Sequence, residues 1–424
     1  MSADDAAARG AAAGASGSGV TAAGEAVVDG PLADPADALI EVVDAVAQAP
    51  LERIRVDFVG VPFRSPVRTA AGTWTTRRSI LVTLTDADGI AGTGEMAPAQ
   101  GEEEAAVAVL ASLAPRLDGL APAQVLAAIE EDRTADAAVE LALASVIEAG
   151  IEGALLDLAG RRASLPVSAL LAGASGRGVA RLRVPVSALV AHPVAGIAAT
   201  EAATAVAAGI GCLKLKVGGE PDAAAFAGRV AAVRAAAGPN VELRLDANGG
   251  WSVDEALARL RAVADLGVAY VEQPVADPEE LAVVRAARVL PVAADESVRG
   301  PAAARRLIEA GAADVLVVKS ARVGGAVETL RIARIAAASG VPVVLSTFFE
   351  TGIGLAAALH LAAALPGAEI AHGIATADLL VTDLLVHGPR LHAGALDVPQ
   401  EPGLGVEPSR DLVGEFSEFA GGLR

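Results

Sequence analysis

The feature that most constrains the fold is a regular alternation of short apolar strands and helical stretches from Arg181 onward. The strand candidates are short and rich in strand-forming residues, and stretches of helical length lie between them. Because parallel strands buried on both faces read as continuous apolar runs, this rhythm predicts a parallel sheet covered by helices. Eight such units predict an α/β fold containing a closed (β/α)₈ barrel of the TIM type. The predicted strands are Leu182–Ser187, Cys212–Val217, Glu242–Asp246, Tyr270–Gln273, Pro291–Asp295, Val315–Lys319, Val341–Ser346 and Glu369–His372.

Helix starts within this region carry their own signals. Asp222 and Ser252 precede helical stretches and are predicted N-caps, because their side chains can accept hydrogen bonds from free backbone N–H groups. Pro301 suits a first helical position, where its missing N–H costs nothing. These signals support the division of the barrel region into strand and helix units.

Charged and amide side chains recur at the carboxyl ends of the predicted strands. From the second strand to the sixth, one such residue ends each unit, at spacings of 30, 26, 23 and 24 residues. A single Asp or Lys there is usually a cap or a surface charge. A set in phase with the strands instead points into one barrel mouth, where barrel active sites lie. The set comprises Lys214, Lys216, Asp246, Asn248, Glu272, Asp295, Glu296 and Lys319.

Three members of this set predict a metal site. Asp246, Glu272 and Asp295 should converge from adjacent strands. Three carboxylates at one point repel one another strongly unless a cation joins them. Hard oxygen ligands with positions left for water or substrate favour Mg²⁺, with Mn²⁺ as the alternative ion.

The lysines predict the chemistry. Lys214 and Lys216 are two residues apart on one strand and both face inward, while Lys319 lies across the barrel. Cations on either side of a metal are suited to removing a proton next to a carboxylate and stabilising the resulting enediolate. The substrate is therefore expected to be a small-molecule carboxylate. A lysine close to a metal and another cation is expected to have a lowered pKa, which suits a base.

The rest of the chain is expected to form three further parts. Residues 1–50 are Ala/Gly-rich and are predicted to be a disordered extension, although Pro35–Pro50 is apolar enough for a short helix. Residues 51–180 read as strands followed by helices, which predicts an α+β domain. The barrel is assigned to residues 181–375, and residues 376–424 are expected to return to the first domain. In the first domain the predicted elements are strands Ile54–Val59, Ser79–Thr85 and Gly92–Met96 and helices Glu102–Leu113, Ala121–Glu131 and Ala135–Arg162.

Composition excludes several classes of function. The formal net charge of −19 argues against a nucleic-acid partner. No uncharged apolar run is long enough for a membrane span. Cys212 is the only cysteine, so no disulfide can form within the chain, and the N-terminus lacks the pattern of a secretory signal. We expect a cytoplasmic protein without a nucleic-acid or membrane partner; the sequence is compatible with a homo-oligomer.

Five motifs carry a resemblance to a known family. The sequences KLKV, RLDANGGW, VEQP, ADES and KSARVGG resemble the enolase superfamily, in its muconate-lactonizing subgroup, and the resemblance runs from about Arg53 to about Gly405. It implies an N-terminal α+β capping domain over the barrel mouth and a Mg²⁺ ion. In residue terms, it implies metal ligands Asp246, Glu272 and Asp295, acid/base groups Lys216 and Lys319, supporting groups Lys214 and Asn248, and Glu296 as a partner for a lysine.

The same resemblance narrows the activity without fixing it. The segments PFRSPVRTAAGTW and AHGIATADLLVTDLL resemble o-succinylbenzoate synthases, which implies dehydration of a cyclohexadiene hydroxy acid in menaquinone biosynthesis. N-acylamino acid racemase, dipeptide epimerase and muconate cycloisomerase remain alternatives on the same scaffold. Ser346, Thr347 and Gly352 are the predicted donors to a succinyl carboxylate. Phe348 and Phe349 depart from the smaller residues of those synthases at this point.

Overall fold

The N-terminal helix corrects one predicted boundary. A computed structural model of the chain describes residues 33–69, 72–134 and 141–423. The predicted disordered extension includes helix α1 (Pro35–Val46), whose N-cap Asp34 accepts a hydrogen bond from Ala36 N at 2.9 Å. Leu39 and Val43 on this helix are fully buried. The boundary at residue 50 is therefore wrong, because the apolar face of α1 packs on the core; the first 32 residues lie outside the described ones.

The capping domain is an antiparallel sheet with helices on one side. Its sheet runs in the order β1, β2, β3, with longer strands than predicted. Gly92 and Gly94 on β3 face helix α4, and a Cβ at Gly94 would overlap the carbonyl oxygen of Gly150. These glycines allow the helix to lie directly on the sheet. The elements are β1 (Leu51–Thr69), β2 (Gly72–Asp86), β3 (Ala91–Met96), α2 (Glu103–Leu117), α3 (Pro122–Thr134), α4 (Leu141–Ala163) and α5 (Val167–Ser175).

The first predicted barrel strand differs from the first strand of the barrel sheet. Strand β4 (Arg183–Pro185) lies within the predicted first strand but pairs in a small antiparallel sheet, and the first barrel strand is β5 (Ala188–Val190). The remaining barrel elements are α6 (Ala195–Ala207), β6 (Cys212–Lys216), α7 (Ala223–Ala237), β7 (Glu242–Asp246), α8 (Val253–Ala262), β8 (Val268–Glu272), α9 (Pro278–Ala286), β9 (Val292–Ala294), α10 (Pro301–Glu309), β10 (Val315–Lys319), α11 (Ser320–Val323), α12 (Ala326–Ala338), β11 (Val343–Ser346) and α13 (Gly352–Ala364).

The sheet is parallel and closes through bridges instead of a full eighth strand. Seven strands pair in the order β5 to β11. The predicted eighth strand, Glu369–His372, is replaced by single parallel bridges from Val186 to His372 and from Ser346 to Gly373. His372 Nδ1 accepts a hydrogen bond from Leu345 N at 2.9 Å, which ties this segment to β11. The predicted barrel is thus confirmed with a short closing segment.

Predicted helix starts are confirmed in the barrel. Asp222 and Ser252 are N-caps whose side chains accept from Ala225 N and Glu255 N. Pro301 occupies the first turn of α10. The local signals were sufficient here because capping is decided within one turn of helix.

The C-terminal segment reaches the capping sheet. Its elements are β12 (Leu391–His392), β13 (Ala395–Asp397), α14 (Arg410–Phe416) and β14 (Ser417–Leu423). Strand β13 pairs with β4, and β14 pairs antiparallel with β1, with Phe58 opposite Phe419. Among the described residues, no helix is both long and apolar enough to cross a bilayer.

Candidate active site

The predicted strand-end residues meet at one mouth of the barrel. Parallel pairing puts Lys216 beside Asp246 and Asp246 beside Glu272. Lys319 ends β10, beside Ser346 of β11. A cavity of about 160 Å³ opens at these strand ends. Its polar lining includes Lys214, Lys216, Asp246, Asn248, Asp295, Glu296, Lys319, Ser346 and Thr347.

Each carboxylate of the predicted metal site lies against a lysine. Lys214 Nζ is 2.8 Å from Asp246 Oδ2 and 2.6 Å from Glu272 Oε1. Lys216 Nζ is 2.9 Å from the same Asp246 oxygen. This oxygen therefore forms ion pairs with both lysines, but neither contact has good hydrogen-bond geometry. Lys319 Nζ contacts both oxygens of Asp295. With Glu296 included, the cluster holds four carboxylates and three lysines, so acidic groups outnumber the lysines by one.

Burial and these contacts set the pKa values. Burial alone would raise the pKa of Asp246, but Lys214 and Lys216 hold it below its ordinary value. Burial would also raise the pKa of Asp295, but the charge of Lys319 outweighs burial and holds the pKa below its ordinary value. For Glu272, burial and then the negative charge of Asp246 raise the pKa well above its ordinary value. The three carboxylates are therefore not equivalent.

The carboxylates raise the pKa of two of the lysines. Burial lowers the pKa of Lys214, but Asp246 and Glu272 outweigh it and raise the pKa well above its ordinary value. For Lys319, burial likewise lowers the pKa, but the charge of Asp295 outweighs burial, so the pKa of Lys319 lies above its ordinary value. The pKa is raised because the carboxylates face the lysines directly; the lowered pKa expected of a lysine beside a bound metal stays a prediction.

The donor chemistry at this mouth fits a divalent cation, although the side chains are turned toward lysines. Across residues 33–69, 72–134 and 141–423, no three acidic, His or Cys side chains meet in the geometry of a metal site. Asp246, Glu272 and Asp295 are nonetheless buried and adjacent, and all offer the hard oxygen atoms that Mg²⁺ prefers. Burial raises the pKa of Glu272 and the charges of Asp246 and Asp295 raise it further, and a cation bound beside Glu272 would oppose this shift.

Asn248 connects Lys216 to Glu296. Its Oδ1 accepts a hydrogen bond from Lys216 Nζ, and its Nδ2 donates to Glu296 Oε1 at 2.9 Å. Glu296 was expected to support a lysine indirectly, and it reaches Lys216 through Asn248. The second oxygen of Glu296 is buried without a hydrogen-bond partner among the described residues.

Gln273 is a supporting residue that sequence reasoning missed. Its Oε1 accepts hydrogen bonds from Asp295 N at 3.0 Å and Ser297 N at 3.3 Å, and its Nε2 donates to Ser297 Oγ at 2.8 Å. Gln273 has a φ of 38°, an unusual value for a residue with a side chain. Its place in the VEQP motif, directly after Glu272, was the available signal. It fixes the backbone that presents Asp295.

The predicted substrate donors are only partly placed at the cavity. Ser346 and Thr347 line it, and Thr347 Oγ1 lies 2.8 Å from Thr376 Oγ1. Gly352 does not line the cavity: its N–H donates to Asp383 O at 2.9 Å where α13 begins. The assignment of Gly352 as a substrate donor is therefore wrong, because its donor is already used within the protein.

Aromatic residues form the other wall of the cavity. Trp74 from the capping domain and Phe348 and Phe349 from the barrel line it. The rings of Trp74 and Phe348 meet edge to face at 5.4 Å, and Phe349 meets Phe63 at 5.6 Å. The capping domain thus completes the cavity wall. The contact between Trp74 and Phe348 joins residues far apart in the sequence, so no local sequence pattern predicts it.

Family models match both domains. The model described as Enolase C-terminal domain-like matches residues 198–412, and the N-terminal domain of mandelate racemase / muconate lactonizing enzyme matches residues 52–172. The chain belongs to the enolase superfamily. Members of this superfamily generally use a divalent metal ion. Family membership makes the chain an enzyme of this superfamily with a barrel and a capping domain.

Individual relatives differ in activity. The chain is 42% identical to an o-succinylbenzoate synthase of Thermobifida fusca over 54% of this chain and 67% of that enzyme. Alignments to three further o-succinylbenzoate synthases span about half of those enzymes' length. The chain is 31% identical to the L-Ala-D/L-Glu epimerase of Bacillus subtilis over 86% of this chain and 98% of that enzyme.

A solved structure extends the comparison to the whole fold. The muconate lactonizing enzyme of Pseudomonas fluorescens, complexed with muconolactone, superposes with a TM-score of 0.80 at 28% identity. The match covers 88% of this chain and 100% of that enzyme. The two-domain architecture is therefore shared over nearly the whole described chain.

Proposed function

We propose that the chain is an o-succinylbenzoate synthase. It would dehydrate 2-succinyl-6-hydroxy-2,4-cyclohexadiene-1-carboxylate (SHCHC) to 2-succinylbenzoate, in the cytoplasm, as a step of menaquinone biosynthesis. The 42% identity to the Thermobifida fusca enzyme supports this choice over the other activities of the superfamily.

The position of two lysines carries the proposal. Lys216 ends β6 and Lys319 ends β10, four strands apart in the sheet order. In a barrel of eight strand positions, four steps correspond to opposite sides of the mouth. Both lysines line the same cavity as Asp246 and Asp295. A substrate in this cavity has an ammonium or amine group on each face.

The chain's own residues can account for the proton movements. Lys216, as the amine, would take the proton from the ring carbon that bears the carboxylate. As the ring C–O bond breaks, the protonated Lys216 would return that proton to the departing hydroxide, so that one water leaves and the ring becomes aromatic. Lys319 would remain an ammonium on the opposite face and stabilise negative charge in the transition state. Asn248 would hold Lys216 in place through the contact described above.

The proposed metal ligands are Asp246, Glu272 and Asp295, and Mg²⁺ is the proposed ion. When bound, it would supply a positive charge against the substrate carboxylate, where negative charge develops as the proton leaves. Ser346 and Thr347 would donate hydrogen bonds to the more distant carboxylate of the substrate, from the cavity wall next to Lys319.

Racemisation or epimerisation of N-acylated amino acids is the second candidate. It is favoured by the same opposed lysines, because one base on each face is what exchange of both enantiomers requires. The alignment to the Bacillus subtilis epimerase covers more of this chain than the synthase alignment does. Cycloisomerisation of a muconate would use the same site, and the match to the muconate lactonizing enzyme of Pseudomonas fluorescens, at 28% identity, keeps it as a further alternative.

A side-by-side assay tests the proposal. Purified protein with excess MgCl₂ is given SHCHC, N-succinyl amino acids and L-Ala-D/L-Glu in separate reactions. We expect kcat/KM for SHCHC to exceed the others by at least about a hundredfold. Efficient racemisation together with poor turnover of SHCHC would overturn the synthase assignment and leave the assignment of metal ligands and lysines in place.

A further inference from the structure

Phe348 occupies a special position at the cavity. It follows β11 and lines the cavity together with both opposed lysines. Its ring is contacted by two cations: the guanidinium of Arg77 lies 5.6 Å from the ring centroid, and that of Arg322 lies 4.9 Å away. Both distances are within the range of a cation–π interaction. Two charged groups therefore hold the ring of Phe348.

These two arginines are themselves held. Arg77 on β2 is 1% exposed, and its Nη1 donates to Pro98 O at 2.8 Å. Arg322 lies on α11, which starts directly after Lys319, and its Nη1 is 3.0 Å from Glu102 of the capping domain. Phe348 therefore sits where the capping domain meets the turn that carries Lys319.

The backbone of Phe348 is fixed from behind by Glu350. Phe348 N donates to Glu350 Oε2 at 2.6 Å, and Glu350 is 2% exposed. The residue between them, Phe349, has a φ of 63°, a conformation that costs a residue with a side chain free energy. The buried carboxylate of Glu350 spans this strained residue and so maintains the turn.

The next residues anchor the turn to the capping domain. Glu95 on β3 accepts hydrogen bonds from Thr351 N at 2.9 Å, Thr351 Oγ1 at 2.6 Å and Gly354 N at 2.9 Å. The segment from Phe348 to Gly354 is therefore held by the barrel at one end and by the capping domain at the other. Such a held aromatic wall is preorganised, which reduces the cost of ordering it around a ligand.

We propose that Phe348 is a specificity-determining residue that packs against a flat, unsaturated ring of the substrate, and that Glu350 is a positioning residue acting through it. The substrate class is a carboxylate with a flat ring, whose two faces lie toward Lys216 and Lys319 and whose edge lies toward Phe348. Aromatic contacts of this kind favour planar ligands over flexible aliphatic ones. The inference rests on the proposed function for the choice of SHCHC as substrate.

The first test separates ring recognition from chemistry. Phe348→Leu should raise KM for SHCHC about tenfold or more while kcat changes less than about threefold, since an interaction made equally in ground and transition states affects KM. Phe416→Leu, the same change on α14 away from the cavity, is the matched control and should leave both constants unchanged. Equal KM values for Phe348→Leu and the control would overturn the proposal.

The second test addresses Glu350. Glu350→Ala should raise KM for SHCHC in the same way as Phe348→Leu, whereas Glu350→Gln keeps an acceptor oxygen and should restore KM to within about threefold of wild type. Glu350→Gln remains informative if the Ala variant does not fold. A Gln variant with a fall in kcat and an unchanged KM, or an Ala variant with wild-type KM, would contradict the positioning role.

A binding measurement distinguishes this inference from the proposed function. Calorimetric titration with 2-succinylbenzoate and with succinate, in excess MgCl₂, needs no turnover. We expect Phe348→Leu to weaken binding of 2-succinylbenzoate about tenfold and to leave succinate binding unchanged. If wild type fails to dehydrate SHCHC yet shows this pattern, the proposed function fails and the ring-recognition inference stands. Equal losses for both ligands would overturn the inference alone.

Discussion

The barrel mouth has two unlike halves. Strands β6 to β10 end in charged residues that contact one another, such as Lys214 with Asp246 and Glu272. On the other side, β11 leads into Thr347, which lines the cavity, and Phe348, whose ring contacts Trp74 of the capping domain. The charged half is assembled by neighbouring strands, and the aromatic half by residues from separate domains. The charged half therefore holds the residues that we propose to move protons, and the aromatic half holds the residue that we propose to select the substrate.

The charged half should be intolerant of change. Asp246→Ala should reduce turnover below about one ten-thousandth of wild type, because the charge that the site supplies acts in the transition state. Asp246→Asn keeps the shape and should give a comparable loss with better folding. The measurements are steady-state kinetics and Mg²⁺ titration calorimetry.

Asp254→Ala serves as the control for this loss. Asp254 is exposed on the first turn of α8, so its removal should cost stability slightly and leave turnover unchanged. Circular dichroism checks that each variant is folded. Full activity of wild type in excess chelator would show that the charged half works without a divalent ion.

The two lysines should respond differently to the same substitution. Lys319→Arg keeps a cation beside Asp295 and should retain dehydration of SHCHC at about one hundredth of wild type. Lys216→Arg removes the only group assigned to accept the proton and should lose at least about ten-thousandfold. With N-succinyl amino acids in D₂O, followed by NMR, Lys319→Arg should lose exchange of the enantiomer that faces it. Equal dehydration by both variants would contradict the one-base assignment.

The two halves also differ in how far the sequence predicts them. Asp246, Glu272, Asp295 and the lysines were found because a strand-end position repeats with the strand–helix unit. Their partners were harder to predict: a strand-end position does not say whether a carboxylate turns toward a lysine or a metal. The raised pKa of Lys214 and of Lys319 follows from these contacts with carboxylates.

The aromatic half follows no periodicity. Trp74 and Phe348 are brought together by the packing of the capping domain on the barrel, and Arg77 and Arg322 carry no motif that links them. Gly352 was assigned to substrate from its place after a strand, but its N–H closes a contact with Asp383. The sequence also predicted a full eighth strand where the barrel closes, but only two isolated bridges form there.

The aromatic half should carry a pH dependence of stability. Burial, followed by the negative charge of Glu95, raises the pKa of Glu350 to about 7, while Arg77 opposes the shift. Between pH 4.5 and 7 the folded state holds a proton that the unfolded chain has lost, so stability falls as pH rises through this window. In wild type the free energy of unfolding should fall by about 3 kcal/mol between pH 5 and pH 8, and Glu350→Gln should remove this fall. Denaturant unfolding at the two pH values measures it. The prediction fails if wild type and variant change in parallel.

The smallest effect is expected from a deletion that touches neither half. Residues 2–32 contain no aromatic side chain and are mostly Ala, Gly, Ser and Asp, so their removal should change the melting temperature by less than about 2 °C. Deleting residues 2–50 instead removes α1 with its buried Leu39 and Val43, and should cost about 4 kcal/mol or more. The shorter deletion retains Asp34, which caps α1 and lies 2.6 Å from Arg331 on α12. Kinetics on SHCHC and thermal unfolding compare the two deletions with the full chain. A large loss of turnover in the shorter deletion would mean that the first residues contribute to the site, and the division of the mouth into two halves would need a third part.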